Sequence, residues 1–89
     1  MKVLLEIEGG FVKEIFSANT EKSPFDQKLE IKHFLQGFKD ILPIVNTAST
    51  KENLATTLLQ VLTGADEVCW RLGAIARLEN DKGTLKVVE

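Results

Sequence analysis

The sequence predicts a two-layer α+β fold: an antiparallel sheet of two hairpins with two helices packed on one face. Three observations carry that expectation. Gly9-Gly10 lies between two apolar runs near the start, Asn80-Asp81-Lys82-Gly83 lies between two more near the end, and the stretch between them has helical periodicity. The expected order is ββ-αα-ββ. A chain of 89 residues, 44% of them hydrophobic and 27% charged, makes one domain over residues 1–89 with a thin core that association would help.

A two-residue Gly9-Gly10 loop pairs Glu8 with Phe11, Ile7 with Val12, Glu6 with Lys13, Leu4 with Ile15 and Val3 with Phe16. Directly opposed residues share a face. Val3, Leu5, Ile7, Val12 and Phe16 therefore form a core surface with Glu14 out of place. Leu4, Phe11 and Ile15 surround a Glu6–Lys13 cross-strand pair on the other side. Residues 17–24 are polar and read as loop.

Ser23-Pro24 followed by Asp26 is a helix start: a capping hydroxyl, a proline in the first turn and an early acid. Ile31, Phe34, Leu35, Phe38, Ile41 and Leu42 then repeat at the spacing of one helical face, and Pro43 is expected to end it. Phe25 and Leu29 lie off that stripe, so residues 25–30 read as helix or as a short strand, with helix favoured. Residues 46–50 connect to a second helix capped by Ser49 or Thr50. Its apolar arc is Leu54, Leu58, Val61 and Leu62, with Ala55 and Leu59 beside them, and Gly64 is its stop.

Between residues 66 and 79, helix and strand compete. A helix places Arg71 and Glu79 inside the apolar arc. A strand lets Val68, Trp70, Leu72, Ala74, Ala76 and Leu78 alternate against Cys69, Arg71, Gly73, Ile75 and Arg77, and strand is favoured over 68–78. The turn at 80–83 then pairs Leu78 with Leu85 and Ala76 with Val87, with Gly73 marking a bulge. Trp70 points with Leu72 and Leu78 toward the helices and is read as core.

The net charge of −2 supplies no basic field for nucleic acid or an anionic membrane. No run approaches the roughly 18 apolar residues of a membrane span, and Glu6 and Glu8 interrupt the first apolar stretch, so no signal peptide is expected. The lone Cys69 cannot form an internal disulfide, and cytoplasm is the expected compartment.

The catalytic inventory is thin. His33 is the only histidine, near Gln36 and Asp40 in helical spacing, where a surface imidazole beside a carboxylate is the ordinary reading. Cys69 has no assignable base and reads as a small buried group. Asp66-Glu67 lacks the oxygen ligands of a calcium loop, and one His with one Cys falls short of a zinc set. No catalytic residue, metal or cofactor is expected. Lys28, Lys32 and Lys39 fall on one helical stripe, but aromatic companions for bases are missing.

The functional clue is surplus apolar surface. If the hairpins are neighbours, Leu4, Phe11, Ile15, Cys69, Ile75 and Val88 form a patch on the sheet face away from the helices, rimmed by charges. Monomers rarely leave such a patch bare. The expectation is a non-enzymatic intracellular interaction module, a small regulator, inhibitor or adaptor that forms a homodimer or binds a protein target. The alternative is a small-ligand-binding domain with a pocket between helices and sheet lined by Trp70, Phe34 and Phe38. A nucleic-acid-binding regulator ranks third.

Glu8-Gly9-Gly10-Phe11-Val12 after a short strand resembles the opening hairpin of HicB-type antitoxins. The resemblance covers that hairpin alone. The Leu-Pro-Gly stretch that follows it in that family is absent, and no family is assigned on it.

Overall fold

A computed structural model gives the structure of residues 1–47, 50–64, 67–80 and 82–89. The elements are β1 (Lys2–Ile7), β2 (Phe11–Ser17), α1 (Pro24–Asn46), α2 (Lys51–Gly64), α3 (Val68–Glu79) and β3 (Thr84–Val88). The class is α+β as expected, but the layout is ββ-ααα-β rather than ββ-αα-ββ. Among the described residues the sheet is antiparallel in the order β2-β1-β3, so β1 is central and β2 and β3 are its edges.

The first hairpin forms with its register displaced by one residue at the tip. Gly10 N–H donates to Ile7 O at 3.2 Å, closing a turn in which Gly9 sits at φ +98° and Gly10 follows at +86°. A positive φ at the third turn position is what a type II turn demands, and glycine adopts it without a Cβ clash. Glu8 thus joins the loop, and Ile7 pairs with Phe11, Glu6 with Val12, Leu5 with Lys13 and Leu4 with Glu14. A bulge opposite Val3 and Leu4 absorbs the slip and restores the expected Val3–Phe16 pair.

The slip explains Glu14. It lies opposite Leu4 on the solvent side, with its carboxylate 3.2 Å from Lys2 Nζ, instead of intruding on the core. The expected Glu6–Lys13 partnership is not made, and Val12 is exposed opposite Glu6.

Helix α1 starts where the cap predicts, with Ser23 Oγ accepting from Asp26 N–H at 3.2 Å, and it includes residues 25–30. It does not end at Pro43 but runs to Asn46. The proline removes one bond, to the carbonyl of Lys39, four residues earlier on an exposed position, so the loss falls where water compensates it. Thr50 caps α2, its Oγ1 accepting from Asn53 N–H at 3.1 Å; Ser49 lies outside the described residues.

The strand reading of 68–78 is overturned: these residues belong to α3. The Glu67 side chain accepts from Cys69 N–H at 3.0 Å and starts the helix, and Asn80 ends it with its amide donating to Ala76 O at 2.8 Å. There is accordingly no second hairpin. The segment around 80–83 links α3 to β3, which returns to pair with β1 (Val3 with Val87, Leu5 with Leu85); Asp81 lies outside the described residues. Gly73 is no strand bulge.

Helices α1 and α3 pack against each other and cover the sheet face of Val3 and Leu5. Eight apolar residues are buried among those described: Val3, Leu5, Ala18, Ile31, Phe34, Ile41, Ala74 and Ala76. Phe34 is 1% exposed, with its ring stacked on Phe16 at 4.5 Å. The helix crossing turns on two glycines. A Cβ on Gly37 would lie 1.9 Å from the carbonyl oxygen of Trp70, and one on Gly73 would lie 1.9 Å from that of Phe34. Only residues without a side chain permit so close a crossing. Trp70 Nε1 donates to Asp40 Oδ2 at 3.2 Å, and the Arg77 guanidinium lies 5.1 Å from the Phe38 ring centre, so polar contacts flank the crossing.

The 17–24 loop is held to α1 through Glu30. Asn19 N–H donates to one carboxylate oxygen at 2.9 Å, and Lys22 Nζ lies 3.0 Å from the other. The backbone donor first, then Lys22, hold the Glu30 carboxyl below its ordinary 4.5. A depressed carboxylate leaves the unfolded chain binding more protons in acid. Its stabilisation is therefore complete above the unfolded value and lost as pH falls through the folded one. Urea midpoints of the wild type should drop on acidification below pH 4.5 more steeply than those of Glu30→Gln; parallel profiles would refute this anchor.

Candidate interaction surface

The six residues expected on one sheet face do not come together. Leu4 and Val88 lie on the solvent side of the sheet, where Leu4, Val12, Glu6 and Lys86 line a depression of about 100 Å³. Phe11 is 73% exposed at the hairpin tip, opposite Ile7, and Ile15 packs against the core beside the bulge. Cys69 and Ile75 are on α3, not on a strand. The hairpin slip moved Phe11 and the bulge moved Ile15, the helix–strand change moved Cys69 and Ile75, and Leu4 and Val88 keep the expected face.

The apolar surface that does exist is helical. On α3, Gly73, Ala74 and Ala76 are buried, while Val68, Leu72 and Ile75 are 56%, 44% and 38% exposed. Those three recur at i, i+4 and i+7, so they form one stripe, turned away from the small residues. Helix α2 supplies a second such surface. It touches α1 and little else, and none of its residues whose exposure is described is buried. Leu54, Leu58, Val61 and Leu62 are half-covered on one face, and Leu59 beside them is 64% exposed.

Sequence reasoning missed the α3 stripe because the strand reading set Val68 and Leu72 on the face opposite Ile75. The legible signal was the run of small residues, Gly73, Ala74 and Ala76, with Gly37 on α1 as its counterpart. A helix that buries its small face sends its large apolar residues outward.

The expected ligand pocket is not built from its three residues. Phe34 is sealed in the core, Trp70 bridges α3 to Asp40, and Phe38 stacks beneath Arg77. Trp70 and Phe38 flank the helix crossing instead.

His33 and Cys69 fall near one end of α3. His33 Nε2 lies 3.9 Å from Glu67 Oε2, an exposed pair. Burial, and then the carboxylates of Glu30 and Glu67, push the Cys69 thiol up to about 11. It therefore stays protonated near neutral pH, and the thiolate that a nucleophile requires is not generated. No group of three or more His, Cys, Asp or Glu side chains among the described residues is placed to hold a metal ion. No helix among them is long and apolar enough to cross a membrane.

Comparison with known proteins identifies no relative: no family model, curated protein or solved structure matches this chain.

Proposed function

We propose that this protein is a non-enzymatic interaction module that self-associates, with α2 of one copy lying along the outward stripe of α3 of another. The observation that carries the reading is α2, an amphipathic helix with no described residue buried, next in sequence to a helix with an exposed apolar stripe. At 14 and 12 residues, the two helices are ~21 and ~18 Å long and match in extent. A two-fold axis makes the exchange reciprocal, so each copy donates one helix and receives one, and the contact closes.

The thinness of the fold supports the same reading. The Cα envelope measures 40 × 34 × 13 Å, and three of the eight apolar residues buried among those described are alanines. A core of this size is marginal alone, and association adds to folded-state stability by mass action. Covering the half-exposed apolar residues of both copies contributes on the order of 10 kcal/mol, set against an association cost of about 4–15 kcal/mol. That balance favours a concentration-dependent dimer over a permanent one.

The test is solution mass by light scattering across a dilution series. Dimer at high concentration, converting to monomer on dilution, is expected for the wild type. Leu72→Glu and Leu59→Glu should be monomeric throughout, while Phe11→Glu at the hairpin tip should behave as wild type. A wild-type monomer at every concentration, or dissociation caused by Phe11→Glu alone, would overturn the reading.

A further inference from the structure

A second feature lies on the opposite side of α1 and is independent of the α2–α3 surface. An open groove of about 400 Å³ runs along this helix beside the start of β1, with Ile31, Leu35 and Met1 as its apolar floor. Lys28, Lys32 and Lys39 form its rim. The volume falls within the ~300–1,000 Å³ of typical small-molecule sites.

The rim is electrostatically one-sided. No carboxylate lines the groove, and none of the three lysines makes an ion pair or side-chain hydrogen bond among the described residues, whereas Lys2 and Lys22 are both paired with glutamates. Asp40, the acid next along the helix, does not line the groove and is already engaged, accepting from Gln36 Nε2, a groove-lining residue, at 2.6 Å and from Trp70 Nε1 of α3 at 3.2 Å. In a chain of net charge −2, this is a local positive strip over an apolar floor. From Lys28 to Lys39 the helix rises ~16 Å, with Lys32 one turn from the first and two from the second.

We infer that this groove binds a free single-chain amphiphilic anion, a carboxylate on a hydrocarbon tail. The head sits at the rim within reach of Lys28 and Lys32, and the tail lies over Ile31 and Leu35. Each half of the ligand answers a half of the site: uncompensated ammonium groups favour the anion, and the apolar floor favours the chain. A nucleic acid fits less well, because no aromatic residue lines the groove to stack a base.

Titration with monomeric decanoate tests the assignment, followed by calorimetry and by the methyl resonances of Ile31 and Leu35. Saturable binding that shifts those two methyls is expected. Binding of 1-decanol and of acetate should be weaker by about tenfold or more, since each lacks one half of the recognition. Lys28→Glu/Lys32→Glu should weaken decanoate by a similar factor, and Lys86→Glu on the solvent side of the sheet should not. All the substituted lysines are exposed, so folding should be retained, as circular dichroism would verify.

Equal binding of decanol and decanoate, indifference to the double reversal, or shifts confined to other residues would overturn the proposal. So would binding to phosphatidylglycerol vesicles without binding to monomeric decanoate, which would assign the strip to a lipid surface.

Discussion

Replacing Gly73 by Ala should destabilise this domain by about 3 kcal/mol or more, although the same change in an exposed helix stabilises by about 1 kcal/mol. The reversal comes from one contact. The new methyl carbon would lie 1.9 Å from the carbonyl oxygen of Phe34 and 2.8 Å from its carbonyl carbon. Both are backbone atoms of a helix, so no rotamer change relieves the overlap and α3 must move away from α1. That movement strains the Trp70–Asp40 hydrogen bond and the Arg77–Phe38 contact, and it loosens the packing of Ala74 and Ala76. At about 4–8 °C per kcal/mol for a domain of this size, the melting temperature should fall by roughly 12–24 °C.

Gly37→Ala should act alike, because its methyl would meet the Trp70 carbonyl oxygen at 1.9 Å. The two changes should not be additive, since once the helices separate for one methyl the second finds room. Urea unfolding of the single and double variants at one fixed protein concentration measures this, as association would otherwise shift the midpoints. A Gly73→Ala protein as stable as the wild type would mean that the helices do not cross at these glycines.

The part of the fold written in local chemistry was legible. The Gly9-Gly10 turn, the Ser23 cap, the face of Ile31, Phe34 and Ile41, and the Thr50 cap each depend on a few neighbouring residues, and each formed. What depended on distant partners was not. Nothing near Gly9 shows that Glu8 enters the loop; the register follows from the bulge that returns Val3 to Phe16. Residues 68–78 alternate as a strand would. Their helical state is secured by Glu67 at the start and by a matching glycine 36 positions earlier in α1.

The candidate surface failed for the same reason as the strand. Its six residues were joined by assuming that two hairpins lie side by side, and the second hairpin does not exist. Ile75 is exposed, but as part of a helical stripe with Val68 and Leu72 rather than of a sheet face.

Phe34→Ala separates a core role from a ligand-binding one, and it should cost about 3–5 kcal/mol. Phe34 is among the largest fully buried side chains, and it contacts Phe16 on the sheet while its backbone receives Gly73 of α3. Its removal therefore opens a void where all three structural units meet, and also loses a stacked pair worth about 0.5–1.5 kcal/mol. In a fold with so few buried residues, that is a large share of a stability typically near 5–15 kcal/mol. Phe38→Ala supplies the contrast: its ring is only half-buried beneath Arg77, and its loss should cost about 1 kcal/mol beyond the packing it provides. If Phe34→Ala does not fold, Phe34→Leu retains enough volume to give a measurable midpoint, still well below the wild type. A residue that merely lined a ligand pocket would leave the midpoint near that of the wild type. Such an outcome for Phe34→Ala would remove it from the core and return Phe34 to the candidates for recognition.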